Sequence, residues 1–219
     1  MQQVVLGAGG GLGSAIVRAL AARGAAVRAV VRRGGATPTG NGPALLDEAD
    51  AVRRVTDAPD AAPPPVELLA DVPRVVADVS TAHGALAACD GADIVYLCVN
   101  VPYDRWTAVM PKTVHHVLAA VRGRGVRLVF PGNVYGYGPL LECPAREDHP
   151  RGARGPKGRL RNDIEQTLLA AHAGGAVRVV IPRMPDFYGP GVTNELYGGV
   201  FRAALRGRRA LWLGRRDRP

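Results

Sequence analysis

Five glycines in seven residues, Gly7-Ala8-Gly9-Gly10-Gly11-Leu12-Gly13, constrain this chain more than any other stretch because of what flanks them. A short apolar run, residues 3–6, stops at the cluster, and beyond it Leu12, Ile16 and Leu20 recur at helical spacing until Gly24. That order reads as strand, tight turn, helix. A second apolar run at residues 26–31 completes a βαβ unit, which predicts a right-handed crossover between parallel strands. Gly7, Gly10 and Gly13 satisfy GxxGxxG, whereas the GxGxxG spacing fails. Such a turn needs positive φ and lets backbone approach a pyrophosphate that side chains would obstruct. The start of the helix then offers N–H groups and the positive end of its dipole to phosphate.

The same alternation runs on through the chain. Residues 74–77, 94–99, 126–130 and 177–181 read as further strands. A short helix is expected at 81–89. A second has Trp106, Met110, Val114, Val117 and Val121 on one face, with Pro111 in an early turn or at a kink, and a third is marked by Leu160, Ile164 and Leu168. The fold class this predicts is α/β, a Rossmann-type doubly wound parallel sheet with helices on both faces, over residues 1–182. Residues 34–74 break the pattern with Gly, Pro, Ala and Asp, including Pro63, Pro64 and Pro65, and read as an irregular insertion with at most one short helix.

Charge and cysteines narrow the partners. Lys and Arg number 28 against 19 Asp and Glu, a net +9, and the only lysines are Lys112 and Lys157. Phosphate-bearing partners suit that balance. No aromatic-basic module accompanies it, so nucleic acid is not the expected partner. Cys89, Cys98 and Cys143 show no metal-ligand spacing, and their odd number argues against a disulfide framework, which fits a reducing cytoplasm. No apolar run approaches the about 18 residues that span a bilayer, and no basic segment leads an apolar one at the N-terminus, so a cytoplasmic protein without a membrane partner is expected. The second strand ends in Arg32 and Arg33, where a carboxylate would bind the adenosine ribose of NAD. Arg32 there suits a 2′-phosphate and Arg33 an adenine face, which predicts NADP(H) over NAD(H); the alternative is two solvated surface arginines.

Taken in order, several motifs resemble the extended short-chain dehydrogenase/reductases, the NAD-dependent epimerase/dehydratase family. They are GxxGxxG at 7–13, Asp78-Val79 after the third strand, Tyr137-Gly138 after the fifth, and Arg183 followed by Asp186-Phe187-Tyr188-Gly189-Pro190-Gly191 after the sixth. The resemblance implies that Gly7, Gly10, Gly11, Leu12 and Gly13 hold the cofactor diphosphate. It also implies that Asp78 meets the adenine, that Val79 lines its pocket, and that Cys98 to Asn100 run beside the nicotinamide ribose. Family members continue well past the last motif, so residues 183–219 are expected to form a partial, truncated substrate-binding lobe. Its terminal arginines, Arg206, Arg208 and Arg209 among them, read as a solvated tail or a reader of anionic patches.

The family's catalytic set, a Ser or Thr after the fifth strand and Tyr-x-x-x-Lys on the next helix, departs here. Alignment on Tyr137-Gly138 places Asn133 at the hydroxyl position, and alignment on Glu165 places Lys157 at the Tyr and Arg161 at the Lys. Arg161 can hold ribose hydroxyls but does not titrate. Lys157, if buried beside that cation, would favour its neutral form and serve as acid or base; otherwise both are solvated helix charges. Asn133 can orient a carbonyl or hydroxyl. Tyr103, Tyr135 and Tyr137 lie on loops at the crevice side and are alternative proton donors, if not simply packing. His115 and His116 read as one surface and one core-edge residue. The resulting expectation is a hydride-transferring oxidoreductase or epimerase on a carbonyl or hydroxyl of a small-molecule substrate, sugar-nucleotide-like in class. The alternative is a catalytically silent NADP(H)-binding sensor or scaffold, and a homodimer is left open.

Overall fold

The computed structural model describes residues 1–32, 71–140, 144–187, 200–201 and 203–209. Arg33, the insertion as far as residue 70, Cys143, the Tyr188 to Gly191 string and the last ten residues lie outside the described residues. The chain divides into two units, residues 1–39 with 66–186, and residues 40–65 with 187–219. In the second unit, residues 200, 201 and 203–205 are helical. Everything below concerns the first unit.

Six parallel strands form its sheet: β1 (Gln3–Leu6), β2 (Val27–Val31), β3 (Arg74–Val76), β4 (Ile94–Leu97), β5 (Arg127–Val129) and, after a two-residue strand β6 (Gly132–Asn133), β7 (Arg178–Val180). Their order is β3-β2-β1-β4-β5-β7, and every pairing is parallel. The chain reverses direction across the sheet between β1 and β4. This is the doubly wound sheet that the alternating pattern predicts; β1 has its expected bounds, and the other five strands are each shorter by one or two residues. β1 is buried at all four residues, as a strand covered on both faces must be.

Alternate residues of the strands feed two cores. Val4, Leu6, Val30, Val95, Leu97 and Leu128 pack against three helices on one face: α2 (Ala82–Cys89), α3 (Trp106–Val121) and α4 (Pro156–Ala173). Val5, Ala29 and Val27 pack on the other face against Val17 and Leu20 of α1 (Gly11–Ala21). The expected stripe of α1, Leu12, Ile16 and Leu20, is rotated in the structure. Gly13, Ser14, Val17 and Leu20 are its buried residues, because the close approach at Gly13 sets which side faces the sheet.

Local chemistry explains the helix ends. Thr81 caps α2, its Oγ1 accepting from Gly84 N at 3.1 Å, and Arg28 of β2 donates to the carbonyls of Ala88 and Asp90 at the other end. α4 opens with Pro156 at its first position after Gly155. Pro111 falls in the second turn of α3, and the expected face of that helix is buried throughout. His115 is exposed and His116 half-buried, its Nδ1 2.8 Å from Ser80 O. A second sheet pairs β6 with β8 (Arg183–Met184), again parallel. Two-residue strands carry no readable periodicity, and nothing in the sequence reading anticipated them.

Leu128 is fully buried in the central part of this core. Leu128→Ala is expected to cost about 2–5 kcal/mol of stability, read from the denaturation midpoint at unchanged m-value.

Candidate active site

Because all six strands run the same way, the segments that leave β1, β3, β4 and β5, with Arg32 at the end of β2, lie at one edge of the sheet. The glycine bend sits at its centre. Gly7 has φ +79°, and a Cβ there would lie 2.8 Å from Cys98 O, so the bend presses directly on the backbone leaving β4. A Cβ at Gly13 would lie 2.3 Å from Gly7 O. Gly7 N and Ala8 N both donate to Val30 O, and Gly10 N donates to Gly7 O, which ties the bend to β2 and to itself. Gly10 is the N-cap of α1, no side chain caps the first turn and no acid stands in it, so its leading N–H groups face outward with Gly9, Gly10 and Gly11 exposed.

The flanking loops supply side chains. Arg32 is exposed at the end of β2. Asp78, after β3, is exposed, and its Oδ1 accepts from Ser80 Oγ at 2.6 Å and Ser80 N at 3.0 Å. Those two bonds, with a smaller contribution from the Arg32 charge, hold its carboxyl below the usual range. Val79 is buried in the main core. Cys98 is half-buried, and desolvation pushes its thiol up to about 12; Asn100 is exposed.

The catalytic-helix positions present a different picture from a pair of solvated charges. Arg161 is 7 % exposed, its Cζ lies 4.3 Å from the Trp106 ring and 5.8 Å from Phe130, and its Nε has no hydrogen-bond partner among the described residues. Burial lowers its pKa, against which the charges of Glu165 and Tyr135 act. Lys157 is half-buried. Its Nζ donates to Tyr103 O and stands 4.7 Å from the Tyr103 ring and 5.8 Å from Trp106. Asn133 is half-buried, and its Oδ1 accepts from Tyr135 N at 3.1 Å, capping the 3-10 turn at Val134–Tyr137. Tyr137 is buried, its hydroxyl donating to Arg146 O at 3.4 Å and accepting from Arg183 Nη1 at 3.1 Å.

Sequence reasoning used Glu165 only to set the alignment, yet Glu165 organises this region. It is 2 % exposed, and its Oε2 accepts from Arg151 Nη1 at 2.5 Å and Arg183 Nε at 2.9 Å. Burial disfavours the Arg183 cation, but its bonds to Tyr137 and Glu165 and the Glu165 charge outweigh that and raise its pKa. Arg183 Nη1 also donates to Glu147 O at 2.9 Å, so one carboxylate gathers α4, β8 and the loop between residues 146 and 151. A signal existed: Arg161 and Glu165 each sit one residue after a member of the Leu160, Ile164, Leu168 stripe, which places them at its edge. Trp106, the aromatic partner of Arg161, was read only as core.

Among the described residues no group of side chains could hold a metal ion, and no helix is long and apolar enough to cross a membrane. The family model for the NAD-dependent epimerase/dehydratase family matches residues 3–214. No curated protein matches the chain. Among solved structures, UDP-glucuronic acid 4-epimerase from Bacillus cereus, in complex with NAD, is 17% identical with a TM-score of 0.70, over 96% of this chain and 65% of that one. MoeE5, in complex with UDP-glucose and NAD, is 22% identical with a TM-score of 0.65, over 94% and 62%. A short-chain dehydrogenase/reductase superfamily protein from Agrobacterium tumefaciens, with bound NAD, is 23% identical with a TM-score of 0.61, over 84% and 48%. The chain therefore spans between about half and two thirds of the length of these structures.

Two outcomes test the site's chemistry. Glu165→Ala strands two guanidinium groups and is expected to cost about 3 kcal/mol of stability, more than Glu165→Gln does in the same thermal or chemical melt. With a pKa of about 12 the Cys98 thiol is about one part in ten thousand thiolate at pH 8. Its alkylation by iodoacetamide in the folded protein is therefore expected to be far slower than that of free cysteine and to accelerate only above the ordinary thiol range.

Proposed function

We propose, because this chain belongs to the NAD-dependent epimerase/dehydratase family, that it binds a nicotinamide dinucleotide along the C-terminal edge of its sheet and acts as an oxidoreductase or epimerase on a carbonyl or hydroxyl. The observation that carries this reading is the uncapped start of α1 above β1, with no room for a Cβ at Gly7 or Gly13. Backbone N–H groups converge there without a side chain in the way, which fits a diphosphate. The orphaned Nε of buried Arg161 fits the same ligand, since a desolvated cation gains from ribose hydroxyls.

Gly7, Gly10, Gly11, Leu12 and Gly13 would hold the diphosphate, Asp78 and Val79 the adenine, Cys98 to Asn100 and Arg161 the nicotinamide ribose. The nicotinamide supplies hydride acceptance or donation when bound. Arg32, exposed where an acid would select NAD, favours NADP(H) through its 2′-phosphate. Sugar nucleotides are the substrate class we assign, by likeness to neighbours such as MoeE5 with UDP-glucose. A second reading, a cofactor-binding sensor without hydride transfer, draws on Lys157, whose Nζ is already engaged by the Tyr103 carbonyl and ring.

Fluorescence titration and thermal shift with NADPH and NADH are the test. NADPH is expected to bind more tightly than NADH. Arg32→Ala should weaken NADPH by about tenfold or more while leaving NADH nearly unchanged, and Gly13→Val should abolish both. Unchanged fluorescence and melting at millimolar NADPH would overturn the reading. Reduced-nicotinamide fluorescence on adding a panel of UDP-sugars to the NADP+ complex separates the enzyme from the sensor.

A further inference from the structure

Trp106 is the hub of a cluster of aromatic and cationic side chains. Around its ring lie Tyr103 at 5.0 Å and Tyr135 at 6.1 Å between centroids, with Arg161 at 4.3 Å and Lys157 at 5.8 Å. Tyr103, Tyr135, Arg154 and Lys157 also line one open groove of about 560 Å³. Among the described residues that line it there is no carboxylate.

The cluster distributes its roles by what each group already touches. Lys157 Nζ donates to the Tyr103 carbonyl and lies over the Tyr103 ring, so its side chain is already engaged at the turn before α3. Arg161 is a nine-tenths buried cation whose Nε has no partner among the described residues. Glu165, one turn along α4, gives its Oε2 to Arg151 and Arg183, which leaves the acid at Tyr135 as the other group whose negative charge acts on Arg161. That influence is mutual, because a cation stabilised by a phenolate stabilises the phenolate equally. The Tyr135 backbone is tied at its N–H and packs closely on α4 at its carbonyl. Asn133 Oδ1 accepts from its N–H, and its carbonyl oxygen lies 2.7 Å from where a Cβ of Gly158 would stand. Tyr135 is 38 % exposed and lines the groove, so a substrate can reach it.

We propose that Tyr135 performs the proton transfer for which the family uses the helix tyrosine, with Arg161 holding its phenolate and Lys157 as a positioning residue that ties the turn at Tyr103 to α4. This rests on the oxidoreductase reading above. The O–H proton of a substrate alcohol passes to the phenolate oxygen as its carbinol carbon loses hydride to the oxidised nicotinamide, leaving a carbonyl and a neutral phenol; reduction runs these changes backward. Among the described residues, the charged and titratable groups that share the groove or the Trp106 ring with Tyr135 are Lys157 and Arg161 from α4, Arg154 from the segment before it and the Tyr103 phenol from the turn before α3.

Ultraviolet titration of phenolate in the full chain is the experiment, paired with NADPH fluorescence on the same variants. One phenol is expected to ionise about one unit or more below the rest, to vanish in Tyr135→Phe, to move up in Arg161→Met, and to persist in Arg161→Lys, with NADPH affinity in Tyr135→Phe within about threefold of the parent. A cofactor-binding protein in which Tyr135→Phe removes only a phenol of ordinary range overturns the proposal while leaving the oxidoreductase reading intact. Loss of NADPH binding in the unaltered chain brings down both. If Arg161→Met does not fold, the comparison of the parent with Tyr135→Phe decides alone.

Discussion

β1 is held on both edges, by β2 through residues 27–30 and by β4 through residues 94–97, and the backbone leaving it at Gly7 presses against the backbone leaving β4. That close approach governs the rest. It fixes where α1 begins, it sets Gly13 rather than Leu12 toward the sheet, and it leaves the first amides of α1 open at the point where the sheet's chain order reverses. A side chain at Gly7 would push the backbone leaving β1 from that leaving β4, and one at Gly13 would push α1 from the bend. The cofactor edge and the fold are thus consequences of one contact.

At the other end of that edge a buried carboxylate plays the organising part. Glu165 gathers Arg151 and Arg183 and, through Arg183, the hydroxyl of Tyr137 and the carbonyl of Glu147. With its Oε2 so engaged, Arg161 is left desolvated between Trp106 and Phe130. A cation in that state is poised for an oxygen ligand, whether a ribose hydroxyl or a phenolate, and the substitution of the family's Tyr-x-x-x-Lys by Lys157-x-x-x-Arg161 becomes a rearrangement of roles around an aromatic hub.

The strands were legible because each is a compact β-branched run, and the glycine bend because the spacing of Gly7, Gly10 and Gly13 falls between a strand and a helix. The α1 stripe was misjudged by one residue: periodicity alone cannot distinguish a face centred on Leu12 and Ile16 from one centred on Gly13 and Val17, and only the steric fit at Gly13 decides. Lys157 and Arg161 were found by alignment, but their surroundings were not. The contacts that define them, Trp106 on Arg161 and the Tyr103 carbonyl on Lys157, join residues more than fifty positions apart, and no local pattern encodes such pairs. The β6 and β8 pairing was invisible for the same reason.

The central claim is that open amides at the start of α1 grip a diphosphate. Titrating uniformly 15N-labelled protein with NADPH and following backbone amide resonances addresses it most directly. The largest shifts are expected at Gly9, Gly10, Gly11 and Leu12, with smaller ones at Arg32 and Asp78. Saturating NADPH that perturbs amides elsewhere, while those four stay in place, would contradict it.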